Sequence, residues 1–155
     1  MSFDENYFKN RKFEDKYYYL ATQIIEYLQP TLVLDYGCGE GFLTHSIIYN
    51  NVECYGYDIS EYAINNAYGL AEGNTFTHIV NKDYDLVICM DVLEHIPKNK
   101  EQKIIDDICK WSNKYILLSV CDTMLSKTYI DPTHINIRPR SYWAVSYTHL
   151  TLPTN

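Results

Sequence analysis

Short apolar runs alternate with segments of helical spacing along the chain. Five runs predict strands, at residues 32–35, 52–57, 75–80, 86–90 and 115–120. The segments around them carry apolar residues at helical spacing and predict helices at about 13–28, 42–48, 60–67 and 100–111. Because strands and helices alternate, the sequence predicts an α/β fold: a doubly wound, mainly parallel sheet with helices on both faces.

Aspartates interrupt this pattern where the predicted strands end. Asp35, Asp58, Asp91 and Asp122 each stand at or just after the end of a strand. The carboxyl ends of parallel strands meet at one edge of a sheet, and ligands bind there at the topological switch point. The aspartates therefore predict a ligand site at this edge.

A glycine turn follows the first predicted strand. Residues 35–42 read D-Y-G-C-G-E-G-F, and a helical pattern starts at Phe42. A strand that breaks into glycines and opens a helix brings its backbone close to a ligand. Dinucleotide-binding turns read G-x-G-x-x-G, whereas Phe42 stands where the third glycine would be needed. This difference argues against NAD and towards S-adenosyl-L-methionine.

The glycine turn resembles the first motif of class I methyltransferases. The resemblance implies a Rossmann-like methyltransferase sheet and S-adenosyl-L-methionine as cofactor. Asp35 would anchor the turn or meet the cofactor's ammonium group. Asp58 would accept both ribose hydroxyls, unless it only caps its strand, and Ile59 would pack on the adenine. The cofactor-binding residues implied are Asp35, Gly37, Cys38, Gly39, Gly41, Asp58, Ile59 and Met90.

A second motif, residues 85–97, reads D-L-V-I-C-M-D-V-L-E-H-I-P. It resembles the fourth motif of small-molecule methyltransferases, including the ubiquinone-pathway O-methyltransferases. The resemblance places Met90 against the cofactor and Asp91 at the reaction centre. His95 is a candidate base, or a histidine hydrogen-bonded within the turn. The N-P-P-Y signature of nucleobase N-methyltransferases is absent.

A third motif, residues 131–136, reads D-P-T-H-I-N. It resembles a loop that borders the acceptor pocket in some methyltransferases, which would allow His134 to take the acceptor proton. The alternative is a purely structural loop held by Asp131 and Asn136. Aromatic residues near the N-terminus often fold over the cofactor in this family. Tyr17 fits the apolar face of the first helix better, and Tyr7 is left open.

These motifs together imply methyl transfer from S-adenosyl-L-methionine to a small-molecule acceptor, on oxygen or nitrogen. The catalytic candidates are Asp91, His95 and His134. One alternative is a catalytically incompetent domain that keeps the cofactor site. The other is an NAD(P)-dependent oxidoreductase on the same fold.

Composition restricts the partners and the location. The formal net charge is -7, and the absence of a stripe of Lys and Arg disfavours nucleic-acid binding. The five cysteines form no C-x-x-C pair, which predicts reduced thiols and a cytoplasmic protein. No apolar run is long enough for a membrane span. Nothing in the sequence requires a metal ion.

The end of the chain departs from the family pattern. Residues 145–155 have no helical period and resemble a translated sequencing-adapter read. We interpret them as non-native, and residues 1–144 as a methyltransferase domain lacking its last helix and strands; a genuine flexible terminus is the alternative. The fifth strand would then be left as an exposed edge and a site of self-association.

Overall fold

The computed structural model describes residues 3–80, 83–122 and 131–143. Five parallel strands form one sheet in the order β3-β2-β1-β4-β5. The strands are β1 (Leu32–Tyr36), β2 (Glu53–Tyr57), β3 (Thr75–Phe76), β4 (Tyr84–Met90) and β5 (Ser112–Ser119). The predicted fold class is confirmed. The strand order reverses between β1 and β4, which places the switch point at their carboxyl ends.

Helices and 3-10 turns precede the first strand and connect the later ones, and residues 140–143, at the end of the described part of the chain, are also helical. The helices are α1 (Glu5–Phe8), α2 (Lys16–Leu28), α3 (Phe42–Tyr49), α4 (Glu61–Asn65) and α5 (Lys98–Trp111). The 3-10 turns are Gly69–Ala71 and Leu93–His95. Ser60 caps α4 as its sequence position suggests, because its Oγ accepts a hydrogen bond from the Ala63 amide at 3.1 Å.

The sheet carries a hydrophobic core on each face. Side chains of β4 alternate between the two cores, as successive residues of a strand must. Leu86 and Ile88 pack with α2 and α3, whereas Val87 and Cys89 pack with α5. Both faces of β4 are therefore buried, which explains its unbroken apolar sequence.

Several predicted boundaries were wrong. The helix predicted to end at residue 67 ends at Asn65, and the strand predicted to start at residue 115 starts at Ser112. Two other errors have clear tertiary reasons. The third strand ends at Phe76 instead of residue 80, because β3 pairs only with β2, and β2 itself ends at Tyr57. The first predicted helix starts at Lys16 instead of residue 13. Phe13 lies outside that helix, and its ring stacks on Tyr68 with 4.7 Å between the centroids.

The structure also bears on the predictions made for the cysteines, for a membrane span and for the end of the chain. All five cysteines are unpaired thiols. Over the ranges that the structure describes, no helix is both long and apolar enough to cross a membrane. The interpretation of residues 145–155 concerns a segment outside the described residues.

Candidate active site

A cavity of about 990 Å³ opens at the carboxyl ends of the strands around the switch point. Its wall contains every predicted cofactor-binding residue except Gly41. The three predicted catalytic residues, Asp91, His95 and His134, lie on the same wall. The sequence motifs, which are far apart along the chain, therefore meet in one space.

The glycine turn is fixed by its backbone and by close packing. Gly37 and Gly41 have φ values of 80° and 73°, in the left-handed region that favours glycine. The Gly37 amide donates to the Tyr57 carbonyl at 2.7 Å, which joins the ends of β1 and β2. A Cβ on Gly41 would lie 2.6 Å from the Ala71 Cβ, so Gly41 serves the packing of α3 rather than the cavity wall.

Asp58 links the glycine turn to α4. Its Oδ2 accepts from the Gly39 amide and its Oδ1 from the Ser60 amide, both at 2.8 Å. Burial raises the pKa of Asp58, and these two hydrogen bonds oppose the rise. A carboxylate accepts about four hydrogen bonds, so Asp58, which lines the cavity, keeps acceptor capacity beyond these two. Asp58 therefore supports the local backbone and keeps capacity for a ligand.

Asp35 anchors the start of α3 from the end of β1. Its Oδ2 accepts from the Thr44 hydroxyl at 2.8 Å, and only 4% of the residue is exposed. Burial raises the pKa of Asp35 to about 6, and the negative charge of Asp58 adds to the rise. The anchoring role predicted for Asp35 is present. Its contact with a cofactor ammonium group stays a prediction.

The N-terminal segment packs beside the glycine turn. Phe8 is buried, and its Cε1 would lie 3.2 Å from a Cβ on Gly39. Arg11 lines the cavity, where its guanidinium lies 4.3 Å from the centroid of the Tyr7 ring and donates to the Tyr7 hydroxyl. Tyr7 and Tyr17 both line the cavity, and Tyr17 also packs at the edge of the core beside Phe42.

Arg11 was not predicted from the sequence. It stands four positions after Tyr7, which is the spacing of one helical turn. This spacing is a weak signal for the contact between Arg11 and Tyr7, because α1 ends at Phe8 and Arg11 lies beyond it.

Asp91 lies at the strained end of β4. Its φ of 55° is in the left-handed region, which costs a non-glycine residue about 1–3 kcal/mol and is typical of functional sites. The Asp91 amide donates to the Ser119 carbonyl at 2.9 Å, and the Ser119 hydroxyl donates to Asp91 Oδ1 at 2.8 Å. The ends of β4 and β5 thus hold this carboxylate at the cavity.

His95 is held by the loop that carries the third motif. Its Nδ1 lies 2.9 Å from the Thr133 hydroxyl and 3.2 Å from the Thr133 carbonyl oxygen. Burial lowers the pKa of His95, which favours the neutral ring. A proton on Nδ1 would bond to the carbonyl and leave Nε2 as an acceptor. The hydrogen-bond partner of the His95 ring is therefore Thr133 of the third-motif loop, and not a residue of the turn that contains His95.

The third motif docks on the turn after β4. The amides of Ile135 and Asn136 both donate to the Glu94 carbonyl at 2.9 Å. The Asn136 side chain donates to Glu101 Oε2 at 2.6 Å. This docking brings His134 to the cavity wall, with its ring 4.7 Å from that of His95. The loop is therefore structurally anchored, and His134 also faces the cavity.

A family model described as a methyltransferase domain matches residues 8–154. The chain belongs to the methyltransferase-domain family. The methyltransferase family that the sequence motifs resemble is thereby confirmed. None of the matches supports the NAD(P)-dependent oxidoreductase alternative.

Relatives of this methyltransferase domain include enzymes named as O-methyltransferases. Magnesium-protoporphyrin O-methyltransferase of Synechocystis sp. is 32% identical over an alignment of 114 residues, and the match covers 66% of this chain and 50% of that protein. Ubiquinone biosynthesis O-methyltransferase of Azoarcus sp. is 37% identical over an alignment of 79 residues, and the match covers 42% of this chain and 33% of that protein. The matched regions thus span half or less of these curated relatives.

A solved structure of the Synechocystis magnesium protoporphyrin IX methyltransferase, with bound S-adenosylhomocysteine (SAH), is similar to this domain. The two share 27% sequence identity and a TM-score of 0.62. The superposition covers 74% of this chain and 58% of that one. The structural similarity therefore extends over about three quarters of this chain.

Proposed function

We propose that this domain transfers a methyl group from S-adenosyl-L-methionine (SAM) to an oxygen atom of a small-molecule acceptor. The observation that carries the proposal is one cavity that joins the glycine turn and Asp58 to His95 and His134. The relatives named as O-methyltransferases support oxygen as the methylated atom. The five unpaired cysteines support a cytoplasmic location.

The residues around the glycine turn fit SAM in both charge and polarity. The cofactor carries a carboxylate, an ammonium group, ribose hydroxyls and a purine. Arg11 at the cavity wall would hold the carboxylate, and Asp35 the ammonium group. Asp58 would accept the ribose hydroxyls with its remaining lone pairs. Ile59, 74% of which is exposed beside Asp58, would cover the purine.

The acceptor end of the cavity supplies a base. When bound, the cofactor provides a methyl group on a positively charged sulfur. His95 stays neutral around pH 7 because burial lowers its pKa, so its Nε2 can take the proton of an acceptor hydroxyl. Phe3 and Tyr7 pack edge-on against His95, at 5.6 and 6.2 Å between centroids, and exclude water from it.

The experiment measures SAH formation with SAM and a panel of hydroxyl- and carboxyl-bearing small molecules. His95→Gln should lower turnover by roughly 10²–10⁴-fold if the ring acts as general base. SAH affinity should stay within a factor of about two, because the proposed cofactor contacts do not involve His95. His78→Gln, at an exposed histidine away from the cavity, is the matched control. Equal turnover in the two variants would remove His95 from the mechanism.

A further inference from the structure

Three metal-ligating side chains meet at the acceptor end of the cavity. One ligand atom each of Glu94, Cys121 and His134 lies within 4.8 Å of the other two. They come from the 3-10 turn after β4, from the chain just beyond β5 and from the third-motif loop. No two of them are close in sequence, so the cluster exists only in the folded chain.

Glu94 is the least expected member of this cluster. It is fully buried, and its Oε1 accepts from the Cys121 amide at 2.8 Å. Its Oε2 is buried without a hydrogen-bond partner, and within the described ranges no lysine or arginine forms an ion pair with it. An unpartnered buried carboxylate oxygen destabilises the folded chain, because it has lost its hydrogen bonds to water and has formed none in the protein. This atom therefore lacks a positively charged partner.

The charges around the cluster are negative. The carboxylates of Glu94, Asp91, Asp122 and Asp131 all act electrostatically on the Cys121 side chain. A bound cation would offset part of this negative charge and would hold Cys121 as the thiolate. The same cation would satisfy the buried Oε2 of Glu94.

We propose that Glu94, Cys121 and His134 bind a divalent cation of the zinc type. Thiolate, imidazole and carboxylate together suit Zn²⁺, whereas Mg²⁺ and Ca²⁺ prefer oxygen ligands alone. His134 Nε2 lies 3.8 Å from Asp131 Oδ2, which resembles the carboxylates that orient metal-bound histidines. Three protein ligands leave a fourth position open, as in catalytic zinc sites.

The open position gives the cation a role in the reaction, and this role, unlike the binding itself, rests on the proposed function. All three ligands line the cavity, so the fourth position can take an acceptor oxygen. The cation would lower the pKa of an acceptor hydroxyl there. The O–H bond then breaks, its proton passes to His95 Nε2, and the electron pair stays on oxygen as the nucleophile.

The test is titration of the chelator-treated chain with Zn²⁺ by calorimetry. The wild-type chain should bind one ion in a saturable manner. Loss of a partner outside the ligand set typically costs 10–100-fold in affinity, so Cys121→Ser or His134→Gln should cost at least about 100-fold. Cys109→Ser, a half-buried cysteine on α5, is the matched control and should leave the affinity unchanged.

Cobalt provides a second measurement that does not depend on affinity. Co²⁺ bound to a thiolate should give the wild-type chain a charge-transfer absorption, which His134→Gln and Cys121→Ser should lose and Cys109→Ser should keep. Cooperative unfolding of each variant shows that it is folded. If Cys121→Ser does not fold, the comparison of the Co²⁺ spectra of the wild-type chain and His134→Gln still tests the metal site.

Two results would overturn the metal site: no saturable Zn²⁺ binding by the wild-type chain, or equal affinities in Cys121→Ser, His134→Gln and Cys109→Ser. SAH binding by the same samples separates this proposal from the proposed function. Zinc binding without SAH binding would refute the function alone, and SAH binding without zinc binding would refute the metal site alone.

Discussion

The substitution Gly37→Ala tests how tightly the glycine turn is built. Gly37 has a φ of 80°, and a Cβ there would lie 2.3 Å from Val92 Cγ2. An L-residue in the left-handed region costs about 1–2 kcal/mol. Forcing a methyl group into packed side chains costs roughly another 1–3 kcal/mol. We therefore expect Gly37→Ala to lower the free energy of unfolding by about 2–5 kcal/mol.

Gly73→Ala separates the two contributions. Gly73 has nearly the same φ, 77°, but a Cβ there would meet nothing within 4 Å. It should therefore show the backbone cost alone, about 1–2 kcal/mol. Val92→Ala combined with Gly37→Ala should recover part of the steric cost, which a double-mutant cycle measures as a coupling energy between the two positions.

Urea unfolding followed by circular dichroism gives the free energies. Equal m-values across the variants are needed to compare midpoints as stability differences. The reasoning fails if Gly37→Ala destabilises the chain no more than Gly73→Ala. It also fails if Val92→Ala and Gly37→Ala are strictly additive, because the proposed clash would then not exist.

Two further predictions follow from Asp35 and from β5. Since burial raises the pKa of Asp35 from 3.8 to about 6, its favourable contribution is complete below the unfolded pKa and is lost as pH rises through the folded pKa. Asp35→Asn, which keeps an oxygen for the Thr44 hydroxyl, should therefore gain about 3 kcal/mol relative to wild type between about pH 3 and pH 7, measured by urea unfolding at both pH values; a constant difference across this range would contradict the burial argument. β5 is an edge strand of the described sheet, and the bridge between Asp122 and Arg138 lies beyond its end, so the 155-residue chain should self-associate through this strand. Sedimentation should then show an oligomer that grows with concentration, and a monomer at every concentration would refute the prediction.

Local patterns were enough to predict the sheet and the glycine turn. The apolar runs of β1 and β4 reflect their central positions in the sheet, and glycine and aspartate mark the ends of these strands. The length of β3 was not predictable, because it depends on where β2 stops. Gly41 was assigned to the cofactor from its spacing, whereas in the structure it packs too closely against Ala71, thirty residues away, to carry a side chain.

The features that the sequence did not reveal depend on contacts between distant segments. Arg11 reaches the cavity because Phe8 packs against the glycine turn. Glu94 and Cys121 look like ordinary residues of a turn and a strand end in the sequence. Their side chains meet His134 only because the amides of the third motif bond to the Glu94 carbonyl. No spacing rule encodes such a convergence.

The most direct test of the central claim is calorimetric titration of the chain with SAH and with NAD. We expect heat of binding with SAH and none with NAD, because the turn reads G-x-G-x-G and Asp58 stands at its side. Asp58→Ala should weaken SAH binding by about 1.5–3 kcal/mol through loss of charge-assisted hydrogen bonds. Asp106→Ala, on the exposed face of α5, should not change it. Binding of NAD in place of SAH would contradict the assignment of this cavity.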